Sequence, residues 1–281
     1  MDAPLTETQI NDRLYVWTLG GDEISSSYGA NCVGIIGNDA IVLVDPLIAP
    51  AHAVQVERAL REKTPAPVRF VILTHHHTDH ALGAAYFAGQ GAVLVSHRLC
   101  RERMAAEHQG LIEERRANPA LRTLFADAAS SLPEITFDEG IVLHLDESEI
   151  EIWHPAWAHT PGDAFVFLPD MGVAICGDLI FHEYHYNFED ASPEGVRQGL
   201  RALRSLDAEV FIPGHGATGG SELLDRQTEY LDRTAEIVAA ADAEGTSDED
   251  TAGRIAGAFP DYLLRIVIPH AVQRLRPAKA G

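Results

Sequence analysis

Apolar residues fall in short runs broken by polar turns, and two spacings alternate along the chain. Runs dense in Val, Ile, Leu and aromatic residues near 14–19, 32–37, 40–44, 68–73, 91–95, 141–145, 149–153, 164–168, 173–176 and 209–212 predict strands. Apolar positions three and four apart predict helices near 50–63, 79–88, 97–117, 193–206 and 220–243. This alternation gives an α/β class, and periodicity by itself stops there.

Polar residues that bind metals cluster where the apolar runs end. His75, His76, His77, Thr78, Asp79 and His80 follow the strand-like run at 68–73 directly. In an extended chain, side chains at i and i+2 share a face, so His75 and His77 can grip one ion while His76 points away. A turn at Thr78 then sends Asp79 and His80 elsewhere, toward a second ion. Imidazole with carboxylate suits borderline ions such as zinc. Three later stations have the same form: His159 between the runs 149–153 and 164–168, Asp178 after 173–176, and His215 after 209–212. Each is weak alone, since Gly-Asp and Pro-Gly usually mark turns, but strand ends are where α/β proteins assemble their sites.

In this order the residues resemble the metallo-β-lactamase superfamily of binuclear metallohydrolases. Its pattern of His-x-His-x-Asp-His, a distant His, an Asp and a final His falls on His75, His77, Asp79, His80, His159, Asp178 and His215. Asp45, after the run at 40–44, resembles a structural Asp of that family. The resemblance spans about 31–216 and implies a four-layer αββα sandwich. It also implies two divalent ions, zinc first, with manganese or iron as alternatives. One ion would be held by His75, His77 and His159, the other by Asp79, His80 and His215, with Asp178 bridging. A hydroxide shared by the ions would attack the substrate carbonyl, with Asp79 and Asp178 as the catalytic carboxylates.

Scaffold does not name substrate, because one fold carries many activities. Some β-lactamases of the family carry Cys where this chain has Asp178, whereas its thioesterases, lactonases and phosphodiesterases carry Asp. The expectation is therefore hydrolysis of a thioester, lactone or related ester of a small molecule, ahead of a β-lactam. The alternatives are a phosphodiesterase, an iron-dependent oxidative member, and a metal- or ligand-binding relative without turnover. Cys176 shares strand parity with Asp178, but a thiol in an apolar strand reads as packing and is not assigned as a ligand.

Around the stations, the Gly- and Ser-rich stretch 20–30, with Tyr28 in it, reads as a mobile hairpin loop, which the family resemblance would set beside the site and which equally reads as a plain surface connection. The segment after Asp178 is dense in stacking and hydrogen-bonding groups, which makes His182, Tyr184, His185 and Asn187 candidate pocket residues. A single domain over 1–281 is expected, with its core at about 12–243, a helical insert at about 97–133 and a helical C-terminal extension at about 244–281. The insert, broken at Asn118-Pro119, reads as a lid, an oligomer contact or a solvated helical pair, the last preferred. In the extension, Ser247 is a candidate helix cap before acidic residues. The run 262–269 is too apolar to leave in water and should dock on the body or on a second subunit.

Composition narrows the partners. The formal net charge is −21, and no basic footprint is visible, which excludes nucleic acid as the expected partner. An anionic small molecule remains admissible. Three cysteines form no disulfide framework, and the stretch 1–8 lacks the basic and apolar parts of a leader, so a reduced, cytoplasmic protein is expected. No run is long enough to span a membrane.

Overall fold

A computed structural model describes residues 4–276. The first residues of the N-terminal stretch and the last five of the expected extension lie outside that range.

Seven strands form the first sheet in the order of the chain. They are β1 (Thr6–Asn11), β2 (Leu14–Thr18), β3 (Asn31–Ile36), β4 (Ile41–Val44), β5 (Val68–Leu73), β6 (Val93–His97) and β7 (Ile135–Phe137). Antiparallel pairing runs from β1 to β4 and parallel pairing from β4 to β7. Helices α1 (Pro50–Lys63), α2 (Thr78–Ala81), α3 (Ala84–Ala88) and α4 (Arg98–Ala117) connect the parallel strands. The second sheet holds β8 (Gly140–Leu145), β9 (Ser148–Trp153), β10 (Phe165–Leu168), β11 (Val173–Phe181) and β12 (Val210–His215). Its spatial order is β12-β11-β10-β9-β8, with only the β11–β12 pair parallel. Helices α5 (Pro193–Arg204), α6 (Glu222–Ala243), α7 (Asp248–Ala258) and α8 (Ile268–Leu275) complete the chain.

The period of two in the strands divides the apolar residues between layers. In the first sheet, Val16, Val33, Val42, Val44 and Ile72 meet Ile150, Ile152, Val166, Ile175 and Ile212 of the second sheet. The alternate positions Trp17, Cys32, Leu43, Val71 and Leu73 face α1 and α3, packing with Val56, Leu60 and Phe87. On the far side, Ala174 and Cys176 pack under α5 and α6 with Val196, Leu200, Leu203, Leu224 and Tyr230. The result is the αββα sandwich, helices outside two facing sheets. Each fully buried Val, Leu or Ile contributes about 1.5–3 kcal/mol of transfer free energy, and all three interfaces between layers draw on it.

Local signals explain the helix limits. Pro50 and Pro193 open α1 and α5 at positions where a missing N–H costs nothing, and Ser192 Oγ accepts from Gly195 N. Ser247 caps α7 as expected, accepting from Asp250 N, with three acidic residues in the first turn. The run 262–269 docks on the body: Leu264, Val267 and Ile268 join the cluster under α6, while Ile266 stays 74% exposed. α4 ends at Ala117, as the Asn118-Pro119 break implies, but turns follow it, so there is no helical pair. Two strands escaped the sequence reading. β1 is a polar edge strand, and β7 has three residues.

Candidate metal centre

Strand ends from both sheets converge at one edge of the seam. The chain bends just past the end of β5 and brings His75 and His77 to one side. α2 then starts at Thr78 and swings Asp79 and His80 to the other. From the second sheet come His159, on the loop between β9 and β10, Asp178 in β11 and His215 at the end of β12. The donor atoms of His75, His77, His159 and Asp178 form one close group, and those of Asp79, His80 and His215 another. Asp178 stands between them. Its Oδ2 lies 3.2 Å from His159 Nε2 and 3.5 Å from both His75 Nε2 and His215 Nε2, and its Oδ1 lies 3.2 Å from His80 Nε2.

Two glycines make this placement possible. Gly177 takes φ +50°, which breaks the alternation of β11, so Asp178 turns into the site while Cys176 stays in the helix-side packing. A Cβ there would press on Thr74 at 2.7 Å. Gly214 brings β12 so close that a Cβ would stand 1.8 Å from Asp178 Oδ1.

Second partners fix which ring nitrogen faces inward. Asp45, itself at φ +53°, accepts from Thr74 N at 2.8 Å, from Thr74 Oγ1 at 2.6 Å and from His80 Nδ1 at 3.0 Å. Since the Thr74 proton goes to Asp45, His75 Nδ1 must donate to Thr74 Oγ1, 3.0 Å away. His215 Nδ1 donates to Tyr28 O at 3.0 Å, and His77 Nε2 to Asp190 Oδ2 at 3.3 Å. Neutral His75, His80 and His215 therefore turn Nε2 lone pairs inward, and His77 its Nδ1.

The inward atoms have no adequate partners among the described residues. His80 Nε2 faces His215 Nε2 at 3.2 Å, and His77 Nδ1 faces His159 Nε2 at 2.9 Å. His75 Nε2 and Asp178 Oδ1 are buried with no hydrogen bond. Facing lone pairs repel unless positive charge sits against them, and an orphaned buried acceptor is costly. Burial alone would push the Asp178 carboxyl up, but the facing imidazoles of His80, His215, His75 and His159 hold it well below its usual range. Burial would likewise push His80 down, yet the Asp178 and Asp79 carboxylates hold it well above. A buried anion ringed by imidazole nitrogens fits a bound divalent cation, and the donor set fits two.

Chain and fold together decide the family. The metallo-β-lactamase superfamily model matches residues 28–215. The chain belongs to the metallo-β-lactamase superfamily. Members of this superfamily are generally metal-dependent hydrolases, and a His/Asp cluster of the right composition is present here. Among relatives, the chain is 27% identical over 186 residues to the 2,4-dinitroanisole O-demethylase subunit alpha of Nocardioides sp. (strain JS1661), covering 65% of this chain and 51% of that protein. It thus spans about half the length of that relative. To the metallo-beta-lactamase type 2 of Bacteroides fragilis it is 20% identical, covering 82% of this chain and 86% of that one. Its fold matches the metallo-beta-lactamase from Pontibacter korlensis with a TM-score of 0.68 at 19% identity, covering 82% and 99% of the two chains. It also matches the metallo-beta-lactamase FIM-1 from Pseudomonas aeruginosa in its mono-zinc form, with a TM-score of 0.65 at 20% identity and 83% and 96% coverage.

Over the cluster opens a cavity of about 700 Å³, within the usual range for small-molecule sites. Tyr28 and Asn187, two of the candidate pocket residues, lie on its wall. Three other expected residues do not. His185 is fully buried, its Nδ1 3.1 Å from Tyr230 Oη among Phe259 and Tyr262. Tyr184 Oη donates to Gly21 O at 2.8 Å and the ring packs behind His215. His182 Nδ1 donates to Ala217 O at 2.8 Å. Glu183, at φ +61°, turns this stretch away from the cavity, a reversal that polar composition does not signal. The 20–30 loop is pinned, not loose: Ser27 Oγ donates to Asp79 O at 2.8 Å, and Ser27 and Tyr28 are held successively at φ +56° and +53°. His76 faces away from the cluster, but into the cavity wall, 3.4 Å from Glu107 and 3.6 Å from Asp190. Thr74, Asp190, Arg103 and Arg115 belong to the site and carried no sequence motif.

Proposed function

We propose that the chain hydrolyses an acyl bond, a thioester, lactone or related ester, in a small molecule held over the two clusters. His75, His77 and His159 would hold one divalent ion, Asp79, His80 and His215 a second, and Asp178 would touch both, with zinc the first candidate. The observation that carries this reading is the Asp178 carboxylate lying between two groups of inward nitrogens. When bound, such ions supply Lewis acidity and lower the pKa of water toward about 7.

The chain's own residues supply position and proton handling. Asp45, Thr74, Asp190 and the Tyr28 carbonyl lock the rings, so little reorganisation is left for the reaction. Asp79 faces the cavity with 14% of its side chain exposed and is the carboxylate placed to accept a proton from water. Tyr28 presents its phenol at the rim, where it can donate to a developing oxyanion. The buried Phe181 ring stacks on His215 at 4.6 Å and keeps bulk water off that flank.

Identity near 20% to β-lactamases supports the fold and leaves the substrate open. Asp178 in place of Cys favours esters over β-lactams. The three buried free thiols support a reducing compartment. No helix among the described residues is long and apolar enough to cross a membrane.

The test is elemental analysis of protein purified without added metal, then a panel of thioesters, lactones, a β-lactam, bis(p-nitrophenyl) phosphate and 2,4-dinitroanisole, each before and after chelation. Chelator-sensitive turnover of an ester or thioester is expected. Full activity in metal-free protein would refute the mechanism, and phosphodiester turnover alone would replace the substrate class.

A further inference from the structure

The wall facing the histidines is built by α4, whose residues Arg103, Glu107, Leu111 and Arg115 recur every fourth position and so form one stripe on the cavity. The two arginines of that stripe are in different states. Arg103 is committed, 2.6 Å from Glu107 and 2.9 Å from Asp190. Asp190 and Glu107 are thereby consumed, together with His76 and His77. Arg115 has no carboxylate within ion-pair distance among the described residues, in a chain with twice as many acidic as basic side chains, 42 against 21. Its Nη1 is buried with no hydrogen-bond partner, and its guanidinium is braced from one side by the Phe125 ring at 5.0 Å. An arginine fork on a cavity wall, held by an aromatic ring and with no hydrogen bond to its donors among the described residues, suits a planar oxyanion.

Its neighbours place it beside the reaction. Burial pushes the Arg115 guanidinium down, against the opposite pull of Tyr28, Asp79 and Glu114. Tyr28, raised by burial and by Asp79, is in turn lowered by Arg115. Arg115, Tyr28 and Asp79 line the same cavity. The rest of that wall is aliphatic: Leu111 of α4 with Leu264, Ile266 and Val267 from the C-terminal segment. Ile266, although largely exposed, faces this space, where an alkyl chain can cover it.

We propose that the substrate is an acid, its carboxylate gripped by Arg115 and its aliphatic part laid on Leu111, Leu264, Ile266 and Val267. The position of the scissile bond over the His/Asp clusters rests on the hydrolase reading; the anion site does not. Arg115 is a specificity residue in this scheme, acting on affinity for the acid and not on bond cleavage.

The experiment titrates zinc-loaded protein with hexanoate and with hexanamide by calorimetry, in wild type, Arg115→Met and Arg115→Lys. Methionine keeps much of the length and the contact with Phe125 while deleting the charge. Hexanoate affinity should fall about ten- to hundredfold in Arg115→Met and return in part with Lys, the range expected for a charge-assisted hydrogen-bonded pair. Hexanamide should bind all three equally. In hydrolysis, a monothioester of a dicarboxylic acid should show a raised KM with kcat kept in Arg115→Met, and its methyl-capped analogue no change. Hexanoate that fails to bind wild type, binds Arg115→Met as tightly, or falls in parallel with hexanamide overturns the proposal. Arg115-dependent hexanoate binding without turnover of any ester would sink the hydrolase reading and leave the anion site standing.

Discussion

Replacing one oxygen at Asp45 should disable both donor groups of the proposed metal centre without touching any side chain proposed as a ligand. Asp45 Oδ2 accepts from Thr74 Oγ1 and from His80 Nδ1, and Oδ1 accepts from Thr74 N. Asn is nearly isosteric and tolerates the left-handed φ of +53°, so Asp45→Asn should fold. If its NH2 replaces Oδ2, His80 must become an acceptor at Nδ1 and carry its proton on Nε2, facing the cluster. The Thr74 hydroxyl reverses toward His75 Nδ1, and His75 too turns an N–H inward. Flipping the amide instead sets NH2 against Thr74 N–H, a buried donor pair costing about 1–3 kcal/mol. Loss of such an outer partner typically weakens metal affinity about 10- to 100-fold, or roughly 1.4–2.8 kcal/mol. Zinc affinity measured by competition with a chromophoric chelator, alongside thermal melts with and without EDTA, reads both effects. Zinc binding within twofold of wild type in Asp45→Asn would refute the tautomer argument.

Further expectations follow from other parts of the site. Gly214→Ala drives a methyl into Asp178 Oδ1, so the variant should lose bound metal and about 1–3 kcal/mol of stability; full metal content by elemental analysis would contradict this. His75→Ala should cost at least about a hundredfold in activity and His76→Ala less than about tenfold, since His76 faces Glu107 and Asp190 and not the donor groups; equal losses in steady-state assays would reject the division of faces. Burial pushes both His185 and His97 down to about 4, whereas in the unfolded chain they titrate near 6.5. Unfolded protein therefore binds more protons between these values, and stability, complete above about pH 6.5, should decline as pH falls toward about 4. Melting curves in chelator should show this slope, and His185→Phe should flatten it; a parallel slope in the variant would remove His185 from the account.

The contiguous signals were the legible ones. His75 to His80 follow a strand directly in the sequence, which makes them a visible cluster, and the structure brings His159, Asp178 and His215 to the same place. Helix limits at Pro50 and the Ser247 cap are local chemistry and were readable as such. Partners made only by folding were not. Thr74 matters because it stands between Asp45 and His75, Asp190 because it meets His77 from a distant loop, and Arg115 because of what fails to reach it. Polar density after Asp178 suggested a wall, but the positive φ of Glu183 sends His182, Tyr184 and His185 elsewhere. β1 escaped because an exposed edge strand lacks the apolar alternation that marks buried ones.

The candidate donors straddle the seam: four side chains follow β5 of one sheet, and three come from the other, His159 on a loop, Asp178 within β11 and His215 at the end of β12. Neither sheet alone completes either donor group of the proposed centre, so a tilt of one against the other would spoil both. An inhibitor that wedged the leaves apart by an ångström would silence the chemistry from outside the cavity.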